Sequence, residues 1–224
     1  YIRVQRLKNI KNAAVVIIDN KTHKVITYVG SSNFFDTTDG GQVNGANAVR
    51  QPGSTLKPLL YAMCFDEGLL TPKTVMTDVA VNYNGYAPEN YDKKFNGYVT
   101  VEMALEHSLN IPAVKGLKML GYEKMIQKLS NCNFRQIQKD RRKLGLSLVL
   151  GGCGTTLEEM TSLFTAFANN GVFIMPCLLY TSDAADDLLC VDLGGGRIIK
   201  KKTYTNKPYK CIKSITNTNF IKPC

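Results

Sequence analysis

The stretch RQPGSTLKP, residues 50–58, determines how this chain is expected to fold around its most reactive side chains. Pro52 fixes one backbone angle, and Gly53 allows conformations closed to other residues, so the two together define where the next helix begins. After them, apolar residues recur at the 3.6-residue spacing of a helix with one buried face. The stretch predicts a helix that starts at Ser54 and carries Lys57 one turn further along the same face.

Ser54 and Lys57 are a nucleophile and a proton acceptor at a spacing that lets their side chains meet. A serine hydroxyl needs a base to attack a carbonyl at neutral pH, and a lysine serves when burial keeps its amine neutral. The backbone N–H of Ser54, at a helix N-terminus, is placed to donate to a developing oxyanion. The pair predicts acyl transfer, but serine and lysine also meet at this spacing by chance, so other residues must supply the specificity.

A second polar motif, Ser108-Leu109-Asn110, lies between two predicted helices. On spacing alone, we interpret it as a turn that caps a helix. The segment Ser31-Ser32-Asn33 matches the same serine-x-asparagine pattern, but it precedes the nucleophile and reads as a polar loop. A role for Ser108 and Asn110 beside the Ser54–Lys57 pair therefore rests on the sequence around them.

Local patterns before residue 121 predict both strands and helices. Two β-branched runs, at about residues 13–19 and 24–29, predict a hairpin. Residues 71–98, with Pro72, Pro88, several Asn and two Gly-Tyr pairs, predict a long structured loop. Thr100 is expected to cap a short helix, Pro112 to start the next one and Gly121 to end it.

Two more helices are predicted in the second half of the chain. One covers about residues 122–130. The other begins with a capping box, Thr156-x-x-Glu159, and ends at Asn169-Asn170-Gly171. Four apolar residues of this last helix share a face and are expected to belong to the core: Leu157, Met160, Phe164 and Phe167.

Composition restricts the class of protein. The 224 residues are 44% hydrophobic and 21% charged, which is ordinary for a globular protein. The net charge of +10 raises nucleic acid as a partner, but no binding motif accompanies it, and we expect no nucleic-acid partner. Seven cysteines without a C-x-x-C pair predict buried free thiols and no zinc site.

Residues 177–224 differ from the rest of the chain in composition and in hydrophobic pattern. They contain four cysteines, a glycine triplet and a lysine triplet, without a sustained amphipathic period. The segment at 178–202, LLYTSDAADDLLCVDLGGGRIIKKK, resembles the translated read-through of a sequencing adaptor. We expect residues 177–224 to be an unrelated, adaptor-derived tail that is not natively folded. The alternative is a genuine variable extension.

Four blocks of the chain together carry a family resemblance: NAAVVIIDNKTHKVITYVGSSNFFD (12–36), GQVNGANAVRQPGSTLKPLLYA (41–62), YAPENYDKKFNGYVTVEMALEHSLNIPAV (86–114), and LSLVLGG with TTLEEMTSLFTAFANNG (146–152 and 155–171). In this order, they resemble the transpeptidase domain of class A, bifunctional penicillin-binding proteins, in particular the branch called 1C. The resemblance implies the α+β penicillin-recognising fold that serine transpeptidases share with β-lactamases, over residues 1–176.

The resemblance implies a role for each candidate residue. Ser54 would be the acylated nucleophile, and Lys57 its general base. Ser108 would relay the proton to the leaving amine, and Asn110 would bind the substrate. The implied activity is that of a peptidoglycan D,D-transpeptidase, with stem peptides as substrates and β-lactams as inhibitors. The resemblance implies neither a metal nor a cofactor. The parent protein would also carry a glycosyltransferase domain and an N-terminal membrane anchor, and would work outside the cytoplasmic membrane.

One departure from the family pattern concerns its third element, a Lys-Thr-Gly strand. Lys202-Thr203-Tyr204 imitates it, but a tyrosine at a strand edge that admits a peptide would block the cleft, so we reject the match. We expect the domain to be truncated near Pro176, before its C-terminal strands. Because half of the oxyanion hole would come from those strands, we expect the 224-residue chain to be acylated little or not at all.

Rival functions remain to be compared with this one. Glu106 happens to match the pattern around the deacylating glutamate of a β-lactamase, but its neighbours Ser108 and Asn110 already hold another role. A triad that uses His107 is disfavoured, because a lone histidine near a helix end is more often a solvated or capping residue. A non-catalytic β-lactam sensor, or a degenerate penicillin-binding module, stays open as the alternative.

Overall fold

The computed structural model describes residues 10–176 and the backbone of residues 209–210. Its first element is a hairpin of two antiparallel strands, β1 (Val15–Ile18) and β2 (Val25–Val29). Val15 pairs with Val29, and the register shifts between Ile17 and Ile18. The predicted hairpin is confirmed, because β-branched residues favour extended backbone and the polar residues between them form the turn.

The segment that carries the predicted nucleophile forms a short 3-10 helix, Gly53–Leu56, followed directly by helix α1 (Lys57–Asp66). The predicted buried face of this helix is confirmed, since its apolar residues are almost inaccessible to solvent: Leu56, Leu59, Leu60, Met63 and Cys64. The first turn differs from the expected α-helix. Pro58 has no N–H to offer the Ser54 carbonyl four residues back, and that carbonyl accepts the Lys57 N–H three residues on.

Residues 71–98 contain one strand and the start of a second that the sequence did not indicate. β3 (Val75–Asp78) and β4 (Gly97–Thr100) pair antiparallel, with Asp78 opposite Gly97. The expectation of a loop without regular structure was therefore wrong at both ends of this stretch. Each strand has only four residues, and the pairing joins positions about twenty residues apart, which no local pattern reveals.

The helices that follow form the body of the molecule. They are α2 (Val101–Glu106), α3 (Asn110–Leu120), α4 (Tyr122–Asn131) and α5 (Arg135–Asp140). The Thr100 cap of α2 is confirmed, because its side chain accepts the Met103 N–H. Gly121 ends α3 as expected. Helix α5 had no signal in the sequence analysis.

The start of α3 corrects a prediction. The helix begins at Asn110, two residues before Pro112. Pro112 is then the third helical residue, whose N–H would have no intrahelical partner, so the proline costs no hydrogen bond. Ile111 is helical in spite of the following proline, and its complete burial accounts for this exception.

Two 3-10 helices, Arg141–Lys143 and Leu146–Leu150, lead to the last helix, α6 (Leu157–Ala168). The predicted capping box of Thr156 and Glu159 is present. The predicted core face is only partly right. Met160 is buried, but Leu157 and Phe164 are 37% and 43% exposed. The buried side of the helix instead includes Leu163 and Ala166, because α6 packs on the β1 hairpin.

A single hydrophobic core joins these elements, with α1 and α3 side by side at its centre. Gly116 of α3 faces α1, with Leu60 and Tyr61 at 3.6 and 3.9 Å from the position that a Cβ would occupy. The three cysteines of the described residues are buried free thiols, as predicted: Cys64, Cys132 and Cys153. The other four lie outside the described residues.

The segment that leads to the predicted nucleophile, residues 50–53, packs against the loop before α6. The backbones of Arg50 and Thr155 exchange two hydrogen bonds, of 2.8 and 2.9 Å. Gly151, with φ +88°, lies so close to Gly53 that a Cβ at 151 would be 2.6 Å from the Gly53 Cα. Position 151 requires a left-handed backbone and leaves no room for a Cβ, and only glycine satisfies both conditions.

We predict that Gly151→Ala lowers the free energy of unfolding by roughly 1–3 kcal/mol, because it adds a left-handed alanine and a steric overlap with Gly53. Urea unfolding of the 224-residue chain measures this change. The matched control is Gly116→Ala, whose Cβ meets side chains at ordinary distances of 3.6–3.9 Å and whose backbone is helical. We expect the control to be neutral or slightly stabilising; equal unfolding energies for the two variants would contradict the close approach.

Candidate active site

Lys57 is the centre of a buried polar cluster. Its side chain is 1% exposed, among the apolar residues of α1. Its Nζ donates to the Ser108 backbone oxygen at 2.6 Å, to Ser108 Oγ at 3.2 Å and to Asn110 Oδ1 at 2.7 Å. The structure therefore brings three of the four predicted site residues together, from segments about fifty residues apart.

The protonation of Lys57 reflects two opposed effects. Burial favours the neutral amine and lowers the pKa of Lys57 from its ordinary value of 10.5 to about 8. The three oxygen acceptors favour the ammonium, which has three hydrogens to donate. As a result, the amine gains or loses its proton within reach of neutral pH, which a general base requires.

Ser54, the predicted nucleophile, lies in the 3-10 turn directly before Lys57 and is partly exposed. Gly53 before it adopts φ +60°, a left-handed conformation that glycine accepts without strain. The N–H groups of a first helical turn have no intrahelical partner. The Ser54 amide and hydroxyl thus lie in the first turn of the 3-10 helix. The buried Lys57 is the first residue after that helix.

Ser108 stands in the turn between α2 and α3 and has a left-handed backbone with φ +52°. The turn closes the end of α2, because Leu109 N–H donates to the Ala104 oxygen at 2.8 Å and Ser108 N–H to the Leu105 oxygen at 3.1 Å. The expected capping turn is therefore present, through backbone groups. A non-glycine residue held at positive φ is strained, and here the strained turn directs both oxygens of Ser108 to Lys57.

Asn110 is held at both ends of its side chain. Oδ1 accepts from Lys57, and Nδ2 donates to the Glu89 backbone oxygen at 2.7 Å. Its backbone N–H, in the first turn of α3, donates to Asn90 Oδ1 at 2.8 Å. One hydrogen of the side-chain amide remains for another acceptor. The predicted role of Asn110 as a substrate contact stays a prediction, and its contact with Lys57 is an addition to it.

Two further polar residues of this region were missed by the sequence analysis. Asn90 and Asp78 are 5% and 0% exposed, and Asn90 Nδ2 lies 2.9 Å from each carboxylate oxygen of Asp78. Both belong to residues 71–98, for which the sequence predicts a loop. For Asn90, the sequence offered one signal, the polar block YAPENYDKKFNG, which contains this asparagine two residues after a proline. The block does not by itself show that Asn90 is buried, because burial depends on contacts with distant residues.

Among the described residues, two cavities lie outside this polar cluster. The larger, about 570 Å³, is between β3 and α3, and the smaller, about 440 Å³, is between α6 and the chain around Pro52 and Thr55. Ser54, Lys57, Ser108 and Asn110 line neither. The smaller cavity borders the nucleophile segment, with Arg50 and Thr155 among its lining residues.

Several features of the sequence analysis lie beyond the site. Lys202-Thr203-Tyr204 falls outside the described residues, as does most of the predicted tail. The backbone of strand β6 (Tyr209–Lys210) pairs with β5 (Val172–Phe173). Within residues 10–176, three or more His, Cys, Asp or Glu side chains are nowhere grouped to hold a metal ion. The helices of this part of the chain are too short or too polar to span a membrane.

Comparisons with known proteins agree with this geometry. The family described as "Penicillin binding protein transpeptidase domain" matches residues 13–210. The chain is 37% identical to penicillin-binding protein 1C of Escherichia coli (strain K12) over 166 residues, which are 74% of this chain and 22% of that protein. It is 33% identical to penicillin-binding protein 1F of Bacillus subtilis (strain 168) over 198 residues, 86% of this chain and 26% of that protein.

A solved structure gives the same result for the fold. Penicillin-binding protein 1A from Haemophilus influenzae superposes with a TM-score of 0.63 at 25% identity, over 74% of this chain and 25% of that one. The expected α+β penicillin-recognising fold is confirmed by this likeness. The chain thus spans about a quarter or less of these relatives' lengths. The family match runs to residue 210, and the domain boundary expected at residue 176 stays a prediction.

The matched residues contain the helix that presents Ser54 and Lys57, the turn of Ser108 and Asn110, and the four quoted blocks except for residue 12. The chain belongs to the family of penicillin-binding protein transpeptidase domains.

Proposed function

We propose that the protein containing this chain is a peptidoglycan D,D-transpeptidase that works through an acyl-serine intermediate. One observation carries the proposal: the buried amine of Lys57 contacts Ser108 Oγ and Asn110 Oδ1, one turn beyond Ser54. A buried lysine that contacts a serine hydroxyl, in the turn directly after a second serine, suits proton transfer better than structural support. Family membership supports the same chemistry.

The reaction that we propose begins with attack of Ser54 Oγ on the penultimate D-Ala carbonyl of a stem peptide. Neutral Lys57 takes the hydroxyl proton as the new C–O bond forms. The Ser54 N–H donates to the oxyanion. Ser108 Oγ relays a proton to the leaving nitrogen, D-Ala departs, and an ester to Ser54 remains. An amine of a second stem peptide then attacks the ester, which forms the crosslink and returns the proton to Ser54.

Substrate, inhibitors and location follow from the same proposal. A β-lactam presents a strained amide to Ser54 and leaves a stable ester. Stem peptides occur where peptidoglycan is assembled, so we place the activity on the outer face of the cytoplasmic membrane. The resemblance implies that membrane attachment comes from an anchor outside these 224 residues.

The nucleophile assignment predicts that Ser54→Ala abolishes the covalent adduct with a fluorescent penicillin, because no oxygen remains to form the ester. Mass spectrometry of the complete gene product would locate the adduct on Ser54 in the unsubstituted protein. A peptidoglycan crosslinking assay then separates the enzyme from a non-catalytic sensor, which would form the adduct without a crosslinked product. An adduct that survives Ser54→Ala would contradict the assignment.

The relay role predicts that Ser108→Ala slows acylation of Ser54 by about 10²- to 10⁴-fold, the usual contribution of a positioned proton-transfer group. Stopped-flow labelling with penicillin gives the rate. Ser31→Ala is the matched control, since Ser31 starts the other serine-x-asparagine sequence in a loop. We expect the control to acylate at the unsubstituted rate; similar rates for both variants would remove Ser108 from the mechanism.

The pKa of about 8 for Lys57 predicts the pH dependence of acylation. The base is the neutral amine, and its fraction rises as pH rises toward the pKa. The acylation rate should therefore increase about tenfold per pH unit below that value and level off above it. Lys57→Arg should lose this dependence together with most of the rate, because a guanidinium stays charged. A rate that falls with pH between 6 and 9 would contradict the base assignment.

A further inference from the structure

A second layer of buried polar residues lies behind the Lys57 cluster. It consists of Asp78, the last residue of β3, together with Asn90 and Asn96 from the loop before β4. Asp78 is completely buried and Asn90 nearly so. Polar groups this deep destabilise a fold unless their hydrogen bonds are made, so their partners indicate what they do.

The carboxylate of Asp78 accepts hydrogen bonds from neutral donors on both asparagines. Asn90 Nδ2 lies 2.9 Å from Oδ1 and from Oδ2. Asn96 donates its backbone N–H to Oδ2 at 2.9 Å and its Nδ2 to the same atom at 2.7 Å. Among the described residues, Asp78 forms no ion pair with a lysine or arginine. Its charge is balanced by oriented amides, which ties the loop to the end of β3.

These partners determine the orientation of the Asn90 amide. A carboxylate only accepts, so it holds the Nδ2 end, which also donates to the Lys94 oxygen at 2.9 Å. A backbone N–H only donates, so Asn110 N–H must meet the Oδ1 end, at 2.8 Å. An exchange of the two ends would place donor against donor at Asn110. Asp78 and the Lys94 oxygen therefore hold the Nδ2 end of Asn90, and its Oδ1 end faces the active-site turn.

The contact with Asn110 connects this layer to Lys57. Consecutive residues of the loop hold Asn110 from two directions, Glu89 through its backbone oxygen and Asn90 through its side chain. The other end of the Asn110 side chain accepts from Lys57 Nζ. Hydrogen bonds of 2.7–2.9 Å thus run without interruption from Asp78 through Asn90 and Asn110 to the amine.

We propose that Asn90, oriented by Asp78, is a positioning residue for the transpeptidase reaction: it holds Asn110 where that residue fixes the Lys57 amine. This inference rests on the proposed function, because it takes Lys57 as the base for Ser54. Asn90 touches neither reacting atom and acts through Asn110. A displacement of the amine by about 1 Å is enough to change the rate of a reaction between positioned groups by about 10²-fold.

The test exchanges the polarity of the pair in the complete gene product. Asp78→Asn keeps the shape but offers an amide to an amide, which favours reversal of Asn90. Asn90→Asp places two carboxylates in contact. The double variant Asp78→Asn/Asn90→Asp restores one donor facing one acceptor and leaves an oxygen for the Asn110 N–H, but it removes the donor to the Lys94 oxygen, so only part of the network returns. Asn82→Ala is the control, since Asn82 caps an exposed turn of the same stretch through Gly85 N–H.

The measurement is the rate of Ser54 acylation at saturating fluorescent penicillin, per folded molecule, with the folded fraction taken from thermal unfolding. We expect each single variant to be slower by roughly 10- to 100-fold, the double variant to be faster than Asn90→Asp, and the control to match the unsubstituted protein. If Asn90→Asp does not fold, the acylation rate of Asp78→Asn alone tests the positioning role, because this substitution leaves the side-chain volume almost unchanged.

The outcomes separate this inference from the function on which it rests. Single variants that acylate at the control rate per folded molecule, in a protein whose unsubstituted form is labelled on Ser54, would overturn the positioning role alone. A double variant no faster than Asn90→Asp would also overturn it, because both proteins lack the hydrogen bond to the Lys94 oxygen and differ only in the polarity of residue 78. Failure of the unsubstituted protein to label at Ser54 would overturn the proposed function, and this inference with it.

Discussion

The arrangement of the site depends on the burial of one amine. Lys57 is almost completely enclosed, so each hydrogen of its charged form needs an oxygen, and the described residues supply three. Two of these oxygens belong to Ser108 and one to Asn110. The turn between α2 and α3 must therefore stay within hydrogen-bonding distance of the first residue of α1, and the packing of α1 against α3 maintains that distance.

The same requirement explains why the backbone around the site is strained or closely packed. Ser108 is held at positive φ by the end of α2, which turns its carbonyl and hydroxyl to the same side. On the other side of the nucleophile segment, Gly151 rests on Gly53, and the pairing of Arg50 with Thr155 fixes the approach to it. Ser54 thus lies between two regions that leave its backbone little freedom.

Much of the local structure could be predicted because its causes are local. The Thr100 cap, the Thr156–Glu159 capping box and the β1–β2 hairpin each depend on residues within a few positions of one another. Proline acted differently at two places. Pro58 converted the first turn to a 3-10 helix, whereas Pro112 was tolerated as the third residue of α3, because its missing N–H had no helical partner to lose.

The sequence by itself determined the family, the position of Ser54 one turn before Lys57, and the chemistry that this pair suggests, because these depend on spacing and on matching blocks. Only the tertiary structure decided which groups surround the lysine. The pairing of β3 with β4 buries Asp78 and brings Asn90 to Asn110 across twenty residues of chain, and packing of α1 against α3 brings Asn110 to Lys57 across fifty-three. Contacts between such distant residues leave no local pattern, since each partner is an ordinary polar residue until the fold removes it from water.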